Sequence, residues 1–586
     1  MTAHGAFNFV LHSHMPYTRL AGRWTHGEAW IHEAASETYI PLLEMLYDLK
    51  EDGIPYGLTI GITPALAEQL VDETLLSHFD DYLDEKITAA KRDMWLFAPE
   101  NVLHIEPLKE AIAGWQFQRR AELEEPHMHY LAEWYKSYYE NIKTAFNERF
   151  ERDIIGALRH LQDEGYIEII TSAATYGYLP LLSTDQSVHA QIALGISTYE
   201  KHFGRKPSGL WLPECAYRPA YETDSGDLRP GLETFLQEQG IKVVFGETHM
   251  IKGGQLVGVA AGEVIGPYGE IKQRYTIPNW QEHPVRDYNT FTPYYISDTR
   301  KGDERLTQHS GVAMLARNHN ASTQVWSADW GYPGDFDYRE RDKQAGTSGL
   351  RYWRVTGELV DADHKDLYHP DWAEYKVEQH AEHFAHLVGD LLRDHHTQTG
   401  GYGFIATTFE TELFGRWWFE GVQWIGKVLR HLANNDEIDL IGVSHYLEQY
   451  PPQEAIDIPE GSWGAGGNHF TWDNGETHWM WDHIHACEAR MIALADAHPQ
   501  ASKDEAQVLN QAARELLLLQ SADWQFLVTT RQARNYAIDR FYQHVERFTQ
   551  LADSLTAGQP DIALATSLYT RDHIFADIDY RLFSSR

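Results

Sequence analysis

Short apolar runs alternate with helical stretches along most of this 586-residue chain, and that alternation restricts the fold more than any other feature. The runs lie at residues 7–11, 56–64, 166–170, 209–212, 241–246, 311–315 and 404–409. Strands that alternate with helices form parallel sheets, because each crossover returns the chain to the same edge. We therefore predict an α/β fold built on a barrel of parallel strands.

The barrel is predicted to span residues 1–430, with two interruptions. Residues 67–162 are almost wholly helical in pattern and too long for one crossover, which indicates an inserted helical domain. Residues 250–308 are polar and rich in Gly, Pro and Tyr, a composition that predicts a long loop over the functional site. Residues 431–586 are predicted to form a helical C-terminal domain, apart from an aromatic loop at 461–481.

The formal net charge of -37 argues against nucleic acids and anionic membrane surfaces as partners, because the chain would repel them. The sequence also contains 19 Trp and 32 Tyr, many beside Gly, Asn, His or charged residues. Aromatic rings pack against the C–H faces of sugars while nearby polar groups bind the hydroxyls, so a neutral carbohydrate is the favoured partner. Any single Trp can instead serve core packing.

The chain is expected to be cytoplasmic. No run approaches the roughly 18 apolar residues that cross a bilayer, and the N-terminus lacks the basic region of a signal peptide. Cys215 and Cys487 are the only cysteines, which fits a reducing compartment. Their number requires neither a disulfide nor a metal site.

Two carboxylates stand where strands are predicted to end. Glu214 follows the apolar run 209–212 inside the segment Trp-Leu-Pro-Glu-Cys-Ala-Tyr-Arg-Pro, and Glu410 closes the run that begins at residue 404. Barrel enzymes carry their chemistry at the carboxyl ends of strands. A glycosidase needs one ionised carboxylate and one protonated carboxyl, so Glu214 and Glu410 are the predicted pair. Alternatively, these acids form salt bridges with Arg218 and Arg416.

His12 and His14 directly follow the first predicted strand. An H-x-H pair at a strand end can bind zinc, but zinc also needs further ligands and a hydrogen-bonded second layer. The two histidines can also play a structural role or form hydrogen bonds with a polar substrate, and we favour the substrate.

Several separated segments resemble one known family. They are His12–Tyr17, Ser172–Thr175, Gly177–Pro180, Trp211–Pro219, Val325–Ser327, Gly331–Gly334, Glu412–Trp418, Ser462–Gly464 and Asp523–Trp524. Together they are similar to glycoside hydrolase family 57, and most closely to its 1,4-α-glucan branching enzymes, over nearly the whole chain. The resemblance implies a (β/α)7 barrel with an inserted helical domain and a helical C-terminal domain. It also implies a retaining mechanism, no catalytic metal and no cofactor.

The resemblance implies roles for individual residues. Glu214 matches the nucleophile, and Glu410 occupies the position of the acid/base. The residues expected to contact substrate are His12, His14, Tyr176, Trp326, Arg416, Trp417, Trp463, Trp472, Asp523 and Trp524.

Three positions depart from the family pattern. Glu410 replaces an aspartate and carries one more methylene, while Tyr176 and Arg416 each replace a histidine. Arg416 is predicted to pair with Glu410 and to lower its pKa, which would disable it as a proton donor near neutral pH. In the unmatched segment 250–308, Tyr268 or Tyr275 is a candidate for shielding a covalent intermediate from water.

The leading hypothesis is an α-glucan branching enzyme that cleaves α-1,4 and forms α-1,6 linkages. An α-amylase-type hydrolase or a 4-α-glucanotransferase using the same two acids is the nearest alternative. A catalytically weakened glucan-binding homologue follows if Glu410, Tyr176 and Arg416 impair the site. A metal-dependent deacetylase or mannosidase built on His12 and His14 is the remaining possibility. The oligomeric state is left open by the sequence.

Overall fold

The computed structural model describes residues 3–23, 25–98, 126–223, 225–254, 265–266, 269–270, 284–298, 309–327, 331–346, 348–357 and 359–585. Tyr268 and Tyr275, and most of the predicted loop at 250–308, lie outside these residues. The part of that loop that is described includes a short strand, which joins the main sheet.

Seven parallel strands form the centre of the molecule, in the order β12-β1-β2-β3-β4-β7-β11. The strands are β1 (Gly5–Ser13), β2 (Leu58–Ile62), β3 (Ile167–Ser172), β4 (Gly209–Trp211), β5 (Tyr221–Glu222), β6 (Leu228–Arg229), β7 (Val243–Gly246), β8 (Ile265–Gly266), β9 (Gly269–Glu270), β10 (Tyr294–Ser297), β11 (His309–Ala316), β12 (Gly403–Glu410), β13 (Ile438–Leu440) and β14 (Ala455–Ile456). The predicted (β/α)7 arrangement is therefore confirmed.

The two outermost of the seven strands, β11 and β12, are not paired with each other. The segment that follows β11 bridges them. The backbone N–H of Asn318 donates to the carbonyl of Ala406 at 3.0 Å, and the indole of Trp326 donates to the carbonyl of Thr408 at 3.3 Å. All residues of β1, β2 and β7 are buried, as expected for parallel strands covered on both faces.

The helices that the structure describes surround the sheet and build the C-terminal part of the chain. They are α1 (Glu28–Ala34), α2 (Ile40–Glu51), α3 (Pro64–Leu70), α4 (Glu73–Phe97), α5 (Pro126–Thr144), α6 (Ile154–Asp163), α7 (Asp185–Phe203), α8 (Leu232–Glu238), α9 (Thr248–Lys252), α10 (His319–Trp326), α11 (Pro370–Thr399), α12 (Gly421–Ala433), α13 (Val443–Gln449), α14 (His478–Ala497), α15 (Lys503–Leu519), α16 (Asp523–Thr530), α17 (Arg534–Thr556) and α18 (Ile562–Arg571). A five-residue π-helical turn, Ala35–Tyr39, joins α1 to α2.

The C-terminal part of the chain is helical from α14 onward, as predicted, but the sheet extends past residue 430. β13 pairs with β1 and β14 pairs with β10, so residues between 438 and 456 contribute to the main sheet. The sequence pattern did not indicate these strands, because they are only two or three residues long. Among the described residues, none of the helices combines the length and apolar character needed to cross a membrane.

Candidate active site

The carboxyl ends of the parallel strands gather polar side chains at one end of the barrel. Register places His12 of β1 opposite Glu410 of β12, and Ser172 of β3 opposite Trp211 of β4. The side chains at or just after these ends are His12, His14, Thr63, Tyr176, Glu214, Glu247, Arg317, Glu410 and Glu412. The fold therefore brings the two predicted catalytic acids to the same end of the barrel.

Glu214 is held in a tight turn after β4. Its backbone is left-handed (φ 60°, ψ 24°), as is that of Cys215 (φ 48°), an unfavourable conformation for residues with a Cβ. The backbone N–H of Glu214 donates to the hydroxyl of Tyr176 at 3.1 Å, and the indole of Trp463 donates to Oε2 of Glu214 at 2.5 Å. Only 8% of Glu214 is exposed. The turn thus aims one fixed carboxylate into the site.

Burial raises the pKa of Glu214 to about 8, the charge of Asp523 adds to the rise, and the Trp463 hydrogen bond opposes it. Burial also raises the pKa of Glu410 well above its usual range, with further contributions from the carboxylates of Glu214, Glu412 and Asp523. In the described part of the chain, the Glu410 carboxyl has no hydrogen-bond donor that would favour its ionised form. The environments of the two acids therefore differ as a glycosidase pair requires.

Glu412 is a third buried carboxyl, which the sequence analysis did not assign to the site. It accepts hydrogen bonds from the hydroxyl of Tyr39 and, at 3.1 Å, from the backbone N–H of His14. Burial raises its pKa to about 7 even though the Tyr39 hydrogen bond opposes the rise. Its position two residues after Glu410, in the same turn, was the feature that could have identified it.

His12 is fully buried, and neither of its ring nitrogens has a hydrogen-bond partner within the described residues. The ring stacks on Trp211, with centroids 4.6 Å apart and planes at 6°, and on Tyr176 at 5.1 Å. Burial, and to a lesser extent His14, lowers its pKa well below 6.5, so the ring is neutral. A neutral imidazole offers one donor and one acceptor, the pair needed for a sugar hydroxyl.

His14 connects the barrel to the C-terminal helices. Its Nε2 lies 3.0 Å from Oδ2 of Asp523, at the start of α16, and its Nδ1 lies 3.1 Å from the hydroxyl of Thr63. Because a carboxylate only accepts, Nε2 carries the proton. Asp523 also accepts from the hydroxyl of Ser521 at 2.6 Å. Both residues thus lie in the site, and their contact orients the His14 ring.

Tyr176 presents a ring that stacks on His14, with centroids 3.9 Å apart. It is 2% exposed and adopts a left-handed backbone (φ 59°). Its carbonyl accepts from the backbone N–H of Ala522, while its hydroxyl accepts from Glu214 as described above. Tyr176 therefore holds the peptide of Glu214 against the C-terminal segment.

Arg416 forms its ion pair with Glu33 of α1, with Nε 3.0 Å from Oε2, and its backbone N–H donates to the hydroxyl of Thr38. The preceding Gly415 (φ 106°) passes so close to the carbonyl of Glu37 that any Cβ would clash. The charge of Arg416 lowers the pKa of Glu410 only slightly compared with the opposing causes. The expected pairing of Arg416 with Glu410 is thus replaced by one with Glu33. Arg218 likewise does not pair with Glu214; it donates to the carbonyls of Pro219 and Pro230.

The predicted aromatic residues are all buried but differ in their contacts. Trp463 contacts Glu214 directly, whereas the indoles of Trp326 and Trp524 donate to the carbonyls of Thr408 and Leu518. Trp472 stacks on Tyr178 at 4.5 Å, and the guanidinium of Arg341 lies 5.7 Å from the ring of Trp417. Contact of these rings with a substrate stays a prediction.

A buried ion pair joins the ends of β7 and β11, and sequence reasoning missed it. Arg317 donates to Oε2 of Glu247 at 2.9 Å, and both side chains are at most 5% exposed. Glu247 directly follows an apolar run, the same feature that identified Glu214.

The one cluster of three potential metal ligands found among the described residues is Glu515, His544 and Asp572, in the C-terminal helices. His12 and His14 are not part of it.

Comparison with family models matches residues 8–459 to glycosyl hydrolase family 57. The chain belongs to that family. Residues 483–583 match a second model, the C-terminal region of 1,4-alpha-glucan branching enzymes. The family resemblance seen in the sequence is thereby confirmed.

Relatives in the family are similar over nearly the full length. A 1,4-alpha-glucan branching enzyme of Thermococcus kodakarensis is 42% identical over 583 residues, which are 98% of this chain and 78% of the relative. Its crystal structure, described as a branching enzyme in complex with glucose, superposes with a TM-score of 0.84 at 40% identity and covers 100% of this chain and 97% of that one. An alpha-amylase of Thermotoga maritima has a TM-score of 0.76 at 29% identity, with 99% of each chain covered.

Proposed function

We propose that this family 57 chain is a retaining 1,4-α-glucan branching enzyme in which Glu214 is the nucleophile and Glu410 the acid/base. The observation that carries the proposal is the pair of strand-end carboxyls with unequal environments. Of these two acids, only Glu214 receives a hydrogen bond to its carboxylate from the described residues, and its donor is Trp463. The match of residues 483–583 to branching enzymes and the relatives of that activity support the choice of reaction.

In the first step, Oε of ionised Glu214 attacks the anomeric carbon of an α-1,4-linked glucose. The bond from that carbon to the leaving 4-oxygen breaks, and protonated Glu410 transfers its proton to the leaving oxygen. The products are a shortened glucan and a covalent glucosyl ester on Glu214.

In the second step, Glu410 acts as a base. It accepts the proton of a 6-hydroxyl on an acceptor glucan while that oxygen attacks the anomeric carbon of the intermediate. The bond from that carbon to Oε of Glu214 breaks, which frees the carboxylate and forms an α-1,6 branch. Neutral His12 is suited to bind a hydroxyl of the glucose in the site. Its ring stacks on Trp211 and Tyr176, and neither of its nitrogens has a partner in the described part of the chain. His14 and Asp523 border the same space.

Hydrolysis is the second candidate function, because the same two acids transfer the glucosyl group to water when no acceptor is bound. The similarity to a solved alpha-amylase favours testing it. A catalytically weakened homologue is less well supported. The pairing of Arg416 with Glu33 leaves the pKa of Glu410 raised, which is the direction that a proton donor requires.

The test is incubation of the wild type, Glu214→Gln and Glu410→Ala with amylose, followed by proton NMR of α-1,6 linkages and an assay of reducing ends on the same samples. We expect new branches in the wild type and a loss of about 10⁴-fold or more in Glu214→Gln. Glu410→Ala should lose about 10²–10⁴-fold on amylose. It should retain most of its fluoride release from α-maltosyl fluoride, whose leaving group needs no proton.

Reducing ends without branches would make the enzyme a hydrolase. No turnover by the wild type, combined with a many-fold gain in Glu410→Asp, would identify a site weakened by its longer carboxylate. No turnover by either protein would overturn the proposal.

A further inference from the structure

A cavity of about 290 Å³ lies between the loop that follows β1 and the C-terminal helices. Its lining comes from the loop, from α17 and from the end of α18: Leu20, Ala21, Gly22, Tyr536, Asp539, Arg540, Gln543 and Arg571. None of these residues belongs to the proposed reaction. The volume is at the lower limit for small-molecule pockets, about 300 Å³.

Arg540 and Arg571 carry hydrogen-bond donors that the fold does not use. Nε and Nη1 of Arg540 and Nε of Arg571 are buried without a partner in the described part of the chain. Arg540 is only 3% exposed, and its remaining Nη2 is fixed by the carbonyl of Tyr17 and by Nε2 of His544, both at 3.3 Å. A buried donor without a partner is unfavourable, so such groups call for an acceptor.

The cavity is also cationic, in a chain whose net charge is -37. Within the described residues neither Arg540 nor Arg571 forms an ion pair, and the lining contains a single acid, the exposed Asp539. Nearby Arg547 adds positive charge but is paired with Asp572 at 2.6 Å. Burial and the charges of Arg547 and Arg540 lower the pKa of the Arg571 guanidinium. A bound anion would relieve this repulsion.

The neighbouring ligand cluster of Glu515, His544 and Asp572 does not explain these donors. His544 donates from Nδ1 to Glu515 at 2.7 Å, and Asp572 is paired with Arg547 as described above. Each acid of the cluster thus already has a partner within the fold, and neither acid uses the unpartnered donors of Arg540 and Arg571.

We propose that this cavity binds a small sugar phosphate, with the phosphate held by Arg540 and Arg571. Guanidinium groups match phosphate oxygens in geometry and charge. The ring of Tyr536 offers an aromatic face for the sugar, and Asp539 and Gln543 offer polar atoms for its hydroxyls. The cavity is too small for a glucan chain, so it is distinct from the cleft that the proposed function requires.

Isothermal titration calorimetry of the full-length protein, in phosphate-free buffer and without glucan, tests the proposal. The probes are glucose 6-phosphate, inorganic phosphate and glucose. We expect saturable binding of glucose 6-phosphate and no heat from glucose. Tighter binding of glucose 6-phosphate than of inorganic phosphate supports the proposal as stated. Equal affinity for both would overturn the sugar part and leave a phosphate site.

Arg571→Gln and Arg540→Lys should each weaken glucose 6-phosphate binding at least about tenfold, the loss of one charged hydrogen bond. Arg534→Gln is the matched control, because Arg534 also lies on α17 but pairs with Glu476 away from the cavity. Unfolding midpoints confirm that each variant is folded. Binding that is unaffected by Arg571→Gln, or absent in the wild type, would overturn the proposal without bearing on the branching activity.

Discussion

The indole N–H of Trp463 donates its hydrogen bond to the carboxylate of Glu214, from a loop 249 residues further along the chain. Burial raises the pKa of this carboxyl to about 8, and the Trp463 bond opposes a further rise. It is the strongest distinction between Glu214 and Glu410, and it leads directly to a prediction about pH dependence.

Trp463→Phe should move the acid limb of the kcat/KM profile to higher pH. Glu214 must be ionised to attack, so activity falls as pH drops through its pKa, and loss of the donor raises that pKa further. A pH series of initial rates on amylose measures the shift, which we expect to be about one unit. Trp479→Phe is the control, since its indole donates to the Glu476 carbonyl in the C-terminal helices. An unchanged limb in Trp463→Phe would contradict the assignment.

Asp523→Asn should move the same limb in the opposite direction. The negative charge of Asp523 raises the pKa of Glu214, so its removal favours ionisation at lower pH. The same rate series detects the shift, and kcat should also fall because the amide oxygen of asparagine accepts the orienting hydrogen bond of His14 more weakly than the carboxylate does. Asp504→Asn, an exposed change in α15, is expected to leave the profile in place. A shift to higher pH in Asp523→Asn would be inconsistent with this electrostatic model.

Arg416→Gln should move the basic limb to higher pH. Activity on that side is lost when Glu410 gives up its proton, and the charge of Arg416 lowers the pKa of Glu410. Rates measured above neutral pH test the direction of the change. Arg430→Gln, at an exposed pair with Asp52, is the matched control. If the basic limb moved to lower pH, the acid/base role of Glu410 would have to be abandoned.

Glu412→Gln should stabilise the protein increasingly as pH rises from about 4.5 to 7. The folded-state pKa of Glu412, about 7, lies above its unfolded value, so the wild type loses stability across this window as Glu412 ionises. Glutamine does not ionise, and the difference should reach about 3 kcal/mol. Urea unfolding at several pH values measures it, with exposed Glu382→Gln as the control. A difference independent of pH would show that Glu412 does not titrate as expected.

The sequence was sufficient for the parallel strands and for the acids at their ends, because apolar runs followed by a lone carboxylate are local patterns. Contacts between distant segments were not accessible in this way. His14 and Asp523 are 509 residues apart, and Glu33 lies on a helix with no unusual pattern, so neither the His14 contact nor the partner of Arg416 could be inferred. Nor does the sequence distinguish Trp463, which contacts Glu214, from Trp524, whose indole donates to a carbonyl within its own helical region.

The position of β1 in the sheet has a consequence for synthesis of the protein. β1 pairs along one edge with β12 and along the other with β2 and β13, and both β12 and β13 begin about 400 residues later. At about 5–20 residues per second, the ribosome needs roughly 20–80 s to make that stretch. Throughout this time the nascent chain exposes an apolar strand edge, which is a template for aggregation. Production of the protein is therefore expected to depend on chaperones that bind nascent chains, and chains ending before residue 403 should be insoluble.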